Sequence, residues 1–132
     1  MSAAPLQAVI TDQAPAPVGP YNQAVQANGW LYCSGQIPLD PVSGEMVGGG
    51  DVEAETRQVL KNLDAVLQAA GTDPSRVVRT TVYLVDLNDF QAVNAIYAER
   101  FGDGVSPARA CVQVAALPQG SRVEIDCIAY VG

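Results

Sequence analysis

An α+β fold, with both helices packed on one face of a mixed sheet, is predicted by three features of the chain. Apolar residues between Val52 and Ala70 recur at helical spacing. Runs rich in β-branched residues, or alternating apolar with polar, lie before, between and after that helix and a second one. Asn28-Gly29 divides two such runs, and Asn-Gly suits the two positive-φ positions of a tight hairpin turn. A length of 132 residues suffices for one domain with a substantial core, so residues 1–132 are expected to form a single domain.

The elements follow in order. Residues 14–20 are rich in Pro and Gly and read as an ordered loop or arm. The hairpin pairs residues 22–27 with residues 30–35. Residues 40–50 contain Pro41, Gly44 and Gly48-Gly49-Gly50 and form a connecting loop. Asp51 can cap a helix, with Glu53 and Glu55 in its favourable first turn. Val52, Val59, Leu60, Leu63, Val66, Leu67 and Ala70 make its buried stripe, and Gly71 suits the position just past its end. Residues 77–85 read as a strand. Asn88 is the expected cap of a second helix, in which Phe90, Val93, Tyr97 and Phe101 share a face and which Gly102 closes. Strands over residues 108–114 and 122–131 finish the chain. The far face of the sheet is apolar in places and no third helix remains to cover it. Another subunit is the expected cover.

Composition narrows the function. The chain is 48% hydrophobic and 16% charged, a globular profile. Its apolar runs are too short to cross a bilayer, and its start lacks the basic and apolar regions of a secretion signal. A cytoplasmic location is the expectation. Cys33, Cys111 and Cys127 are odd in number and widely spaced, which fits free thiols better than a disulfide framework or a zinc module. Histidine is absent, so Ser-His-Asp and Cys-His catalysis and imidazole metal sites are excluded; no metal and no cofactor are expected. Seven basic against fourteen acidic residues give a net charge of −7, which disfavours nucleic acid and anionic membranes. An anionic ligand would need a local cation inside a pocket.

In Pro107-Ala108-Arg109-Ala110-Cys111-Val112-Gln113-Val114, strand alternation places Arg109, Cys111 and Gln113 on one face. A guanidinium in such a strand must find an anion, and its planar fork matches a carboxylate. That anion is either a protein Glu or Asp in a structural salt bridge, or a ligand. In Arg122-Val123-Glu124-Ile125-Asp126-Cys127-Ile128, Glu124 and Asp126 share a face. Glu124 can orient water and shuttle protons, lie on a solvated strand face, or pair with Arg109. Ser34-Gly35 can simply end a strand or let a ligand approach the backbone. Tyr21, after Gly19-Pro20, can lid a pocket or fill the core. Asn94 on the second helix can face solvent or line a site.

Together these segments resemble the RidA/YjgF/UK114 family. The resemblance rests on Pro107-Ala108-Arg109-Ala110-Cys111-Val112, Ala115-Ala116-Leu117, Val123-Glu124-Ile125, Gly19-Pro20-Tyr21 and Ser34-Gly35-Gln36-Ile37-Pro38. Asp86-Leu87-Asn88-Asp89-Phe90 with Val93-Asn94 completes it, in the family's order, from about Ile10 to Val131. The resemblance implies a chorismate-mutase-like fold, with a mixed six-stranded sheet and two helices on one face. It also implies a homotrimer with sites in the clefts between subunits. The implied activity is hydrolysis of reactive 2-imino acids, 2-iminobutanoate and 2-iminopropanoate, to 2-keto acids and ammonia. By position, Arg109 would bind the substrate carboxylate and Glu124 would hold or activate water. The backbone at Ser34-Gly35 and Cys111 would fix the substrate, and Tyr21, Ser34 and Asn94 would line the pocket, with Tyr21 assigned to a neighbouring subunit. Without histidine and with no basic neighbour but Arg109, Cys111 reads as a pocket wall.

Other readings stay open at this level. The pocket could bind or sense 2-keto acids without turnover. An RNA-cleaving, translation-inhibiting role is reported for some members of the family, against which the −7 charge argues. A chaperone-like role would rest on surface hydrophobicity.

Overall fold

Asn28 and Gly29 adopt φ of 57° and 82°, the backbone that the sequence demands of a two-residue hairpin turn. They join β2 (Ala24–Ala27) to β3 (Trp30–Gln36) in the computed structural model, which describes residues 5–132. Residues 1–4 of the expected single-domain span lie outside the described residues. β1 (Gln7–Val9), β4 (Val77–Leu84), β5 (Ala108–Gln113) and β6 (Val123–Tyr130) complete a six-stranded sheet of order β1-β2-β3-β6-β4-β5. Its neighbours run antiparallel except for β4 and β5, which are parallel and joined by a helical crossover.

Helix α1 (Val52–Ala69) begins as predicted, with the Asp51 carboxylate accepting the Glu53 N–H at 3.0 Å. It ends at Ala70, with Gly71 at φ 80° and the Thr72 N–H returning to the Leu67 carbonyl. Its stripe of Val59, Leu60, Leu63, Val66 and Leu67 is buried against Leu31, Val123, Ile125 and Ala129 of the sheet. α2 (Phe90–Phe101) adds Val93, Ile96, Tyr97 and Phe101 to the same core. Both helices therefore lie on one face, as the α+β reading required.

The start of α2 differs from expectation. Asn88 does not cap it; the Asp86 carboxylate accepts the Asn88 N–H at 2.9 Å and opens a short 3-10 turn over Leu87–Asp89. Asp89, at the cap position, spends its carboxylate on Arg122 at 2.6 Å instead of on the helix end. Gly102 closes α2 without a left-handed backbone, since its φ is −80°. Glycine is needed there for space, because a Cβ would overlap the Ala98 carbonyl.

The sheet face away from the helices carries Trp30, Tyr32, Val112 and Tyr130, all at least 38% exposed, with the Trp30 and Tyr130 rings in edge contact at 5.2 Å. It is the apolar, uncovered face foreseen in the sequence. Among the described residues no helix is long and apolar enough to cross a membrane.

Candidate active site

β5 pairs with β4 so that Arg109 lies beside Thr80 and Cys111 beside Val82. Thr80 and Val82 are buried beneath the helices, so Arg109, Cys111 and Gln113 all point to the helical face. Arg109 sits at its rim, where α2 holds it from two sides. Nη1 donates to Asn94 Oδ1 at 2.8 Å, and the guanidinium carbon stands 4.8 Å from the Tyr97 ring and 5.5 Å from the Phe90 ring. The Tyr97 hydroxyl is tied to Thr80 Oγ1 at 2.7 Å, which fixes that ring. Ion pairs among the described residues join Arg57 to Glu99, Arg100 to Asp64 and Arg122 to Asp89. Arg109 takes part in none of them. It lines a cavity of about 410 Å³ with Asn94, Tyr97, Phe101, Ser106 and Pro107.

Cys111 is half-buried. Burial pushes its thiol pKa up, only partly opposed by the Arg109 charge, so the group stays a neutral thiol. Gln113 Oε1 accepts the Leu87 N–H at 2.9 Å and braces the turn before α2.

A second cavity, of about 330 Å³, gathers the other predicted residues: Tyr21, Ser34, Gly35 and Glu124. The register between β3 and β6 breaks between Cys33 and Gln36, a bulge that turns Ser34-Gly35 out of the ladder. Ser34 then bonds the turn before β2, its N–H to the Gln23 carbonyl at 2.9 Å and its hydroxyl to the Asn22 carbonyl at 2.6 Å. Glu124 lies directly over Gly35, where an added Cβ would stand 2.8 Å from the glutamate Cδ. Burial, and secondarily the charge of Asp126, raise the pKa of Glu124 above the ordinary carboxylate range. Asp126 accepts the Tyr83 hydroxyl at 3.0 Å.

The predicted site residues do not converge within one chain. Arg109 is in register with Thr80, and Glu124 with Tyr83. Thr80 and Tyr83 are separated by an odd number of positions on β4, so their neighbours project from opposite faces of the sheet. Arg109 and Asn94 line one cavity on the helical side, with Cys111 on the same face of β5 but outside that lining, and Tyr21, Ser34, Gly35 and Glu124 line another on the uncovered side. An Arg109–Glu124 pair inside one chain, one of the readings left open above, is not formed.

Sequence reasoning placed Phe90 and Tyr97 only as helix packing and missed their rings around the guanidinium. It also missed Gln119, which lines the second cavity in a left-handed backbone, φ 58°, and Gln23, which lines the same cavity and donates to the Pro15 carbonyl at 2.8 Å. The available signal for Gln23 was a polar residue directly before the apolar start of a strand, Ala24-Val25.

Comparison with known proteins adds relatives to this geometry. The family model described as Endoribonuclease L-PSP matches residues 11–131. A mouse protein named 2-iminobutanoate/2-iminopropanoate deaminase is 55% identical over 132 residues, covering 100% of this chain and 96% of the relative. A RutC family protein of Synechocystis is 56% identical over 126 residues, covering 96% of this chain and 97% of its own length. Among solved structures, a Rid-family protein of Yersinia pestis superposes with a TM-score of 0.93 at 48% identity, covering 96% of this chain and 99% of that one. E. coli TdcF, determined with bound serine, superposes with a TM-score of 0.89 at 38% identity, over 96% of this chain and 99% of its own.

Proposed function

The chain belongs to the Endoribonuclease L-PSP family, the RidA/YjgF group, and on that premise we propose that it is a cytoplasmic hydrolase of reactive 2-imino acids such as 2-iminobutanoate and 2-iminopropanoate. The observation that carries this reading is the guanidinium of Arg109: held by Asn94 and two rings, beside a cavity, with no carboxylate partner among the described residues. A cation so placed suits the carboxylate of a small organic acid. That a relative was solved with bound serine, itself an α-carboxylate, supports the same ligand chemistry.

The reading treats the chain as one domain that works as a homotrimer. A second copy laid against the uncovered apolar face would bring its own half-site to the first, so that Arg109 of one subunit faces Tyr21, Ser34 and Glu124 of the next. Arg109 then fixes the carboxylate and with it the orientation of C2. Glu124 takes a proton from water as its oxygen bonds to C2, and returns it to the nitrogen. The C=N double bond has by then opened onto nitrogen to give a carbinolamine; its hydroxyl proton passes by way of Glu124 to the amino group as the C–N bond breaks, so that ammonia leaves and the 2-keto acid remains. An imine carbon is electrophilic enough that no covalent nucleophile is needed, which leaves Cys111 as a neutral wall.

Two alternatives are weaker. A keto-acid binding module would gain nothing from a carboxylate beside its anion site, yet Glu124 lines the cavity of Ser34 and Gly35. Cleavage of RNA, which the family model's description names, has against it a chain of net charge −7 with no histidine.

The test is a coupled assay in which a dehydratase generates 2-iminobutanoate. The wild-type protein is expected to accelerate keto-acid formation, and Glu124→Gln to lower kcat by about 10²-fold with little change in 2-oxobutanoate binding. Unchanged kcat would move the water-activating role elsewhere; a wild type without acceleration would overturn the deaminase reading. Stability should move the other way. A carboxylate whose folded pKa is raised stabilises fully below its unfolded pKa and loses that contribution as pH rises through the folded value. At neutral pH the charged Glu124 therefore costs stability, and Glu124→Gln should raise Tm at pH 7 but not at pH 4.

Gly35→Ala separates geometry from folding. The added methyl meets the flexible Glu124 side chain, so the glutamate swings aside and the fold loses no more than about 1 kcal/mol. Turnover should nevertheless fall at least about tenfold. A variant with full kcat would show that Glu124 need not lie over residue 35.

A further inference from the structure

We infer that Gln23 is a positioning residue: its buried side-chain amide clasps the proline-rich arm of residues 11–21 and holds that arm as the outer wall of the Ser34–Gly35–Glu124 cavity. The inference deepens the functional reading above and rests on that cavity being part of a substrate site. Pro15, Ala16, Val18 and Tyr21 of the arm line the cavity directly. Pro15 and Pro17 have no N–H, and among the described residues Asp12 to Val18 make no backbone–backbone hydrogen bond. A segment without ladder bonds needs another tether.

Gln23 supplies it. The residue is 2% exposed, and its Nε2 donates to the carbonyls of Pro15 at 2.8 Å, Thr11 at 2.9 Å and Ala14 at 3.2 Å. Its Oε1 accepts the Thr11 N–H at 2.7 Å. The two N–H groups of one side chain thus serve three carbonyls, one hydrogen being shared, and its oxygen serves one amide of the arm, while Ala14, 2% exposed, plugs the arm into the core beside it. The backbone of Gln23 meanwhile accepts the Ser34 N–H at 2.9 Å. The same residue therefore ties the arm to the floor of the cavity, and a shift in one is passed to the other.

Only an amide can do this. Three carbonyls call for a donor and the Thr11 amide calls for an acceptor, so an ionised glutamate could still accept from Thr11 but would set a charged oxygen, in place of the NH2, against three carbonyl oxygens. A protonated glutamate would restore one donor. Gln23→Glu should consequently behave as a pH-dependent lesion, and Gln23→Ala as a constant one.

Three measurements on the full chain decide the matter: hydrogen exchange over residues 11–21, kinetics in the coupled assay, and titration with 2-oxobutanoate. In both variants the arm amides are expected to exchange faster at pH 8. KM should rise about tenfold with kcat within about twofold, and 2-oxobutanoate should bind correspondingly more weakly. For Gln23→Glu these defects should shrink between pH 8 and pH 5.5, while those of Gln23→Ala persist. Unchanged arm exchange would overturn the clasp. Faster exchange with unchanged KM and binding, or a parallel loss of kcat, would overturn the positioning role, because a merely structural glutamine moves Tm without that split. If the wild type binds 2-oxobutanoate without turning over the imine, the deaminase reading falls while the titration still judges Gln23. If the wild type does not bind it, both fall.

Discussion

Arg109→Ala is expected to reduce deamination of 2-iminobutanoate by at least about 10³-fold, the loss of a charge-assisted bidentate anchor that also orients the reacting carbon. The fold should survive. Arg109 is exposed at the rim of the helical face, and removing it forfeits one hydrogen bond to Asn94 and ring contacts with Tyr97 and Phe90. Contacts of that kind contribute on the order of 1 kcal/mol together at a solvent-accessible position. Asn94 is only half-buried, so water can replace the guanidinium. Arg109→Lys keeps the charge but loses the planar fork, and should fall between the two. Coupled-assay rates beside thermal melts would read both quantities. An alanine variant retaining more than about a tenth of the wild-type rate, with an unchanged melt, would remove the carboxylate anchor from the mechanism.

The reach and limit of the sequence are both visible around that arginine. Periodicity placed Arg109, Cys111 and Gln113 on one face of a strand, and they share one. It placed Glu124 and Asp126 on one face of another, and they share one. What alternation within a strand could not tell was whether those two faces coincide. That depends on the register of β5 and β6 against β4, a long-range property fixed by packing and turn geometry. Local chemistry misled in a similar way at α2. Asn88 is a good capping residue, but Asp86 reached its N–H first and Arg122, distant in sequence, drew Asp89 away. The stretch of residues 14–20 reads from its prolines and glycine as an ordered loop. Its tether could not be read, because a glutamine amide reveals its partners only once the chain has folded back over it.

The division of the site between two faces leads to the other large expected effect. Arg109→Ala and Glu124→Gln are each expected to be nearly inactive as pure assemblies, since every site lacks one partner. Co-expressed in equal amounts with distinguishable tags, the two chains should form mixed rings. A site built from Arg109 of one subunit and Glu124 of the next is intact only where a Glu124→Gln chain supplies the arginine and an Arg109→Ala chain supplies the glutamate. Random assembly gives that arrangement at about one interface in four, whatever the size of the closed ring. The co-expressed population should therefore recover about a quarter of the wild-type rate, and mixed trimers purified through both tags about a third, far above either parent. If both residues served from the same chain, every site in the mixture would carry one defect and mixing would restore nothing. The register of the sheet already speaks against that arrangement: with only β4 between their strands, Glu124 and Arg109 project from opposite faces. Recovery on mixing would establish the shared site by activity alone, and its absence in verified mixed rings would refute it.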